Sequence, residues 1–165
     1  SLFNLFLDYM FFRFMKSIEN NFDNPRVNTL LRYHFNQLRS NSPEGSTHVL
    51  DIEGLKVPSI KFWSIWEDEK LIGCGALKFL ENGHGEFKSI RIADEFRNMG
   101  YGLKLLNHII IEAKKNGVDK ISIETGAGNF FKPARKLFES AGFKKCKPFA
   151  HYKEDQNSCY YSKEI

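Results

Sequence analysis

Six residues, Arg97-Asn-Met-Gly100-Tyr-Gly102, read Arg-x-x-Gly-x-Gly and stand between a Phe- and Ile-rich strand pattern, Gly85 to Ile92, and a long helical one. Amide hydrogens at a helix N-terminus have no partner, and the positive end of the macrodipole lies there. An anion rich in oxygen, such as a pyrophosphate, is drawn to that place. The two glycines let the backbone approach it closely. Two other phosphate motifs fit badly. No Lys-Ser/Thr pair follows a glycine as a Walker A loop needs, and Leu105 stands where the dinucleotide fingerprint needs its third glycine.

Two carboxylates fall inside apolar strand patterns, Glu86 after the Asn82-Gly-His-Gly85 turn and Glu124 beside Thr125-Gly126. Simple alternation puts Glu86 on one side with Lys88, Ile90 and Ile92, unless a β-bulge resets the register. Glu124 reads either as an acidic contact holding a water or as part of a hydrogen-bonded turn. His84 lies in a Gly-rich turn and His151 in a polar loop, where exposed histidines are ordinary. Cys74, Cys146 and Cys159 have no metal-ligand spacing and read as packing residues.

The elements that must carry these groups are legible from periodicity. Leu105, Leu106, Ile109, Ile110 and Ala113 recur at helical spacing after the glycine loop, with Gly117 as a C′ stop. Asp23-Asn24-Pro25 caps an earlier helix whose apolar face is Val27, Leu30, Leu31, His34, Phe35 and Leu38. A short helix or turn is expected near Val49 to Gly54. Lys61 to Trp66 and Leu71 to Leu80 form an antiparallel hairpin around Glu-Asp-Glu-Lys. Strands are also expected near Phe14 to Ile18, Asp119 to Thr125 and Cys159 to Lys163, with a helix at Pro133 that Gly142 ends. The helix between the strands at Gly85 and Asp119 suits a crossover between parallel neighbours.

With 165 residues, 42% apolar and 15% aromatic, the chain can bury one substantial core. Lys and Arg number 24 against 20 acids, a formal charge of +4 that suits an anionic ligand but gives no nucleic-acid footprint. An odd count of three cysteines without a convincing secretory signal favours a reducing, cytoplasmic setting. Leu2 to Phe14 is crowded with Phe and Leu but broken by Asp8 and Arg13. It has neither the basic start of a signal peptide nor the ~20 apolar residues of a membrane span.

The glycine loop resembles the acetyl-coenzyme A signature of the GNAT N-acetyltransferase family, Arg/Gln-x-x-Gly-x-Gly/Ala after the fourth strand. Pro133-Ala-Arg-Lys-Leu-Phe138-Glu-Ser-Ala-Gly-Phe143 resembles the family's next signature, a helix of Ala-x-x-Leu-Tyr type ending in Gly-Phe. The likeness extends through Phe62-Trp-Ser-Ile-Trp, Gly73-Cys-Gly-Ala-Leu-Lys, Gly85-Glu-Phe-Lys and Glu124-Thr-Gly to Pro148-Phe and Asn157-Ser158. It is nearest to small, stand-alone bacterial members.

The resemblance implies a mixed α/β fold, a mostly antiparallel sheet with splayed middle strands flanked by helices, over 15–165, with 1–14 as an apolar extension. It implies an acetyl-CoA-dependent N-acetyltransferase acting without metal on a primary amine of a small molecule or peptide. Neither nucleic acid nor membrane is a partner, and exposed edge strands permit a homodimer. Backbone groups of Ile90, Arg91 and Ile92 would bond the pantetheine arm and acetyl carbonyl. Arg97, Asn98, Met99, Gly100, Tyr101 and Gly102 would hold the pyrophosphate. Glu86 is the leading candidate for general base, and Glu124 a second acidic group. Two positions depart from the pattern. Phe138 replaces the tyrosine that protonates the departing thiolate, so Tyr152, Tyr160 or water would take that role. Phe131 replaces an asparagine on the cofactor arm, with Asn129 two residues earlier. A CoA-binding module without turnover, and a plain interaction protein, are the rival readings.

Overall fold

The computed structural model describes residues 2, 15–48 and 50–165, which form a mixed α/β fold around a seven-stranded sheet. The expected extension at 1–14 falls almost wholly outside these residues. The strands are β1 (Met15–Glu19), β2 (Ile60–Glu67), β3 (Lys70–Phe79), β4 (His84–Ile92), β5 (Lys120–Gly126), β6 (Lys144–Lys145) and β7 (Ser158–Glu164). Their order is β1-β2-β3-β4-β5-β7-β6, antiparallel throughout except where β4 meets β5.

Helix α1 (Pro25–Asn41) begins as its cap predicts, the Asn24 side chain accepting from the Arg26 and Val27 amides. Val27, Leu31 and Phe35 from that helix pack with Leu55 of the short helix α2 (Ile52–Leu55) on one face of the sheet. Helix α3 (Tyr101–Lys115) packs on the other face, where Leu105, Leu106 and Ile109 are wholly buried. Each such side chain contributes roughly 1.5–3 kcal/mol. Helix α4 (Lys132–Ser140) joins the same layer through Phe138. Gly117, at φ +78°, ends α3 as a left-handed C′ residue.

Trp63 and Trp66 are both core residues. Between β2 and β3 the turn is made by Asp68 at φ +51°. The two-residue edge strand β6 has no counterpart in the sequence reading, because Lys144 and Lys145 are exposed and leave no apolar alternation to detect.

Two irregularities in β4 shape the molecule. Pairing with β5 is confined to His84 with Lys120, Gly85 with Ile121 and Glu86 with Ser122. Beyond Glu86 the neighbours separate, although β5 continues to pair with β7 as far as Gly126. On its other side, β4 shifts register against β3: Cys74 faces Arg91 but Ala76 faces Lys88, so Ser89 and Ile90 together oppose Gly75. Ser89 sits at φ +52°, the left-handed kink of a β-bulge.

The bulge corrects simple alternation. Glu86 and Lys88 share the α1 face with Arg91, whereas Ile90 and Ile92 join Phe87 against α3. A β-carbon on Gly75 would come within 2.6 Å of Ile109 Cδ1 and 2.8 Å of Ile90 Cδ1. The absence of a side chain there is what lets the bulged Ile90 turn inward.

Candidate active site

The gap between β4 and β5 opens into a cleft of about 640 Å³. A 3₁₀ turn at Asp94–Phe96 follows β4, and Asn98 at φ +61° and Gly100 at φ +83° then bend the chain into the first turn of α3. Gly100 caps that helix without any side-chain hydrogen bond, and no acidic residue lies in its first turn. The positive end of the dipole therefore faces the cleft uncompensated. Gly102 serves a different purpose, because a β-carbon there would approach Leu137 of α4 to 2.9 Å. The first glycine is required by backbone angle and the second by close helix packing.

Of the positions expected around a donor, Ile90, Arg91, Ile92, Arg97, Asn98, Gly100, Tyr101, Gly102 and Asn129 all line this one cleft. Met99 is 61% exposed and lies outside the lining. The Tyr101 side chain turns away from the loop, its hydroxyl donating to Glu67 at the end of β2. Arg91 is held by Asp94 at 3.1 Å and stacks on the Tyr33 ring of α1, so its side chain ties β4 to α1.

Glu86 and Glu124 line the same cleft from adjacent strands, yet their surroundings differ. Only 1% of Glu86 is exposed. The Tyr152 hydroxyl donates to its Oε2 at 2.6 Å, and Lys88 Nζ lies 3.2 Å from the same oxygen and donates to the Tyr152 hydroxyl at 2.9 Å. Its Oε1 is buried with no partner. Burial first, and then the Glu86 carboxylate, push the Tyr152 phenol far above its ordinary range. Glu124 is half-buried. Burial raises its carboxyl to about 7, an effect the Lys88 ammonium opposes and the Glu86 carboxylate reinforces.

Of the remaining candidates Tyr160, His84 and His151 fall outside the lining of the cleft, and Phe138 reaches it from the core. Tyr160 donates to the Lys153 carbonyl at 2.7 Å, a bond that fixes the loop before β7. His84 is bonded to Ser122 at 2.6 Å and packs its ring on Phe149, with burial lowering its proton affinity. His151 is exposed, its ring stacked on Tyr152. Phe138 is 2% exposed and packs with Phe143 and Tyr161, so the tyrosine-to-phenylalanine departure is absorbed by the core.

Three cleft residues were not singled out from the sequence, although the resemblance implies that the region from Glu44 to Pro58 lines the acceptor pocket. Lys88 was placed only by alternation, because nothing local marks a lysine as buried. His48 meets Tyr152 edge-on at 5.2 Å, and Ser46 donates to Asp155 at 2.7 Å across the mouth of the cleft. Both belong to the loop between α1 and α2, whose partner lies more than 100 residues away, beyond the reach of any local pattern.

The acetyltransferase (GNAT) family matches residues 27–143. A relative from Bacillus subtilis (strain 168), named an uncharacterized N-acetyltransferase YsnE, is 46% identical over 140 residues, covering 85% of this chain and 93% of that protein. A GNAT-family acetyltransferase from Staphylococcus aureus MU50 shares the fold at a TM-score of 0.68 and 22% identity, over 91% of this chain and 98% of that one. A Bacillus subtilis acetyltransferase in complex with CoA does so at a TM-score of 0.68 and 17% identity, over 92% and 99%. The splayed strands, the left-handed glycine and these matches lead to one conclusion: the chain belongs to the GNAT acetyltransferase family and is an acyltransferase.

Proposed function

We propose that the protein transfers acetyl from acetyl-CoA directly to a primary amine of a small molecule or peptide. The observation that carries this reading is the confinement of the β4–β5 pairing to three residues. It leaves unpaired β4 backbone around Ile90 to Ile92 beside the uncompensated N-terminus of α3 in a single cleft. A long, narrow donor with a diphosphate at one end and a thioester at the other suits that shape.

Within this reading Arg97 and the amides from Asn98 to Gly102 hold the diphosphate, and β4 backbone orients the acetyl carbonyl. The amine nitrogen attacks the carbonyl carbon, the carbon–sulfur bond breaks, and sulfur leaves with its electron pair. Glu124 is the base that takes the nitrogen's proton, directly or through water. It opens on the cleft with a proton affinity matched to neutral pH. Glu86 is sealed beneath Tyr152 and Lys88, and we assign it the role of holding those two groups in place. A proton taken by Glu124 can pass through water to the thiolate, which balances the step without a hydroxyl at Phe138.

Release of CoA is measured across a panel of amines at saturating acetyl-CoA. Amine-dependent release with intersecting initial-rate lines is expected; parallel lines with a labelled protein thioester would overturn direct transfer. Phe138 motivates the second reading, a CoA-binding module without turnover. Binding of acetyl-CoA with no amine-dependent release would select it. The three cysteines carry free thiols, which suits a cytoplasmic setting.

A further inference from the structure

The loop that leaves β5, Gly126 to Asn129, forms the wall of the cleft opposite β4, with Gly126 and Asn129 both in the lining. It has little regular structure of its own. Its backbone bonds include Ala127 N–H to the Asn157 carbonyl at 2.9 Å, Phe131 N–H to the Gly128 carbonyl at 3.1 Å and Lys132 N–H to the Asn129 carbonyl, and Gly126 pairs with Ser158 at the end of β5. From the body of α4, one side chain also reaches it. Arg135 Nη1 donates to the Gly126 carbonyl at 2.7 Å and to the Gly128 carbonyl at 2.8 Å. The same loop is pressed from beside: a β-carbon on Gly126 would lie 2.1 Å from the Phe131 ring, so that ring packs directly against the glycine.

Arg135 is half-buried and is not among the residues lining the cleft, so it reaches no cleft-bound molecule itself. Phe131 offers no polar atom to a donor, and Asn129 is the amide side chain that this wall presents. Its position depends on how the loop is held.

We infer that Arg135 is a positioning residue for the acyl donor, its guanidinium bridging two carbonyls so that the Gly126–Asn129 wall is fixed before the donor arrives. A charged donor to a carbonyl makes one of the stronger hydrogen bonds in a protein. Both bonds come from one guanidinium nitrogen, whose two hydrogens tie the Gly126 carbonyl to the Gly128 carbonyl. Pre-ordering the wall removes an ordering cost from the binding step and so acts on donor affinity rather than on chemistry. The inference rests on the proposed reading that acetyl-CoA occupies this cleft.

The test compares wild type with Arg135→Lys and Arg135→Gln in steady-state kinetics and in binding of CoA by calorimetry. For Arg135→Gln, KM for acetyl-CoA and Kd for CoA are expected to rise about tenfold, the equivalent of one lost hydrogen bond. The acceptor KM and the kcat at saturating donor should stay within about twofold, and Arg135→Lys should recover part of the loss. A Gly126→Ala variant, which displaces the same wall through Phe131, should show the same donor-specific signature. Lower kcat or thermal stability with KM and Kd unchanged would make Arg135 merely structural and overturn the inference. Wild-type protein that fails to bind CoA would instead defeat the underlying functional reading, so the two failures are distinguishable.

Discussion

Two acidic residues on neighbouring strands face the same cleft, and their solvent contact distinguishes the roles proposed for them. Glu86 is enclosed by a phenol and an ammonium, whereas Glu124 is half-open with its carboxyl near 7. Glu124→Gln is therefore expected to lower kcat by about 10²–10⁴-fold and to abolish the rise in rate through pH 7, read from a pH profile at saturating substrates. Lys88→Met should move that rise to higher pH, because it removes the cation that favours the Glu124 carboxylate. An unmoved profile would detach Lys88 from the base. Stability follows the same group. A carboxyl raised in the folded state binds more protons folded than unfolded, so its contribution is present below about pH 4.5 and is lost as pH rises through about 7. Glu124→Gln should accordingly raise Tm more at pH 8 than at pH 4.5, which thermal melts at the two pH values would check.

At the scale of elements, the proposed function rests on β4 and the turn into α3 and on their backbone conformation. Gly100 at φ +83° has open space around it, so Gly100→Ala costs about 1–2 kcal/mol through the left-handed angle alone. It should weaken CoA binding more than it lowers Tm, as calorimetry beside thermal melts would show. Gly75 is the opposite case: the angle is ordinary but the space is taken by Ile109 and Ile90. Gly75→Ala is expected to destabilise by about 1–3 kcal/mol through overpacking. It should also raise KM for acetyl-CoA by pushing on the bulge, measured by denaturant unfolding beside kinetics. The glycine loop and α3 were legible in advance because a glycine turn ahead of a helix and a 3.6-residue period are local signals. The bulge was not, since Ser89 resembles any strand serine until Gly75 on the neighbouring strand makes room for Ile90.

Over the whole molecule, the sheet places the polar residues of the proposed site on one face and bulk packing on the other. The acidic cluster, Lys88 and Tyr152 lie on the side of α1 and α2, while α3 and α4 close the opposite face with the larger apolar cluster. The cleft passes between β4 and β5, so a donor bound there contacts both halves of the sheet. Bound donor should therefore stabilise the fold as a unit. At a hundred times its Kd it contributes about 2.7 kcal/mol. Protection of the β4 and β5 amides in hydrogen exchange should rise together, and protection confined to the α3 turn would place the donor outside the gap.

Composition, caps and periodicity by themselves determined a mixed α/β chain with a glycine turn at the start of α3. Arg97 to Gly102, the hairpin of β2 and β3 and the face of α3 were all readable because each is set by neighbours within one turn or one strand. Which carboxylate is half-buried and which is sealed, that Tyr152 and Lys88 close over Glu86, and that Arg135 bonds the wall of the cleft were decided by the tertiary structure alone. Those contacts join residues as far apart as Glu86 and Tyr152, and proton affinity, access and rigidity arise from what the folded chain brings against each group.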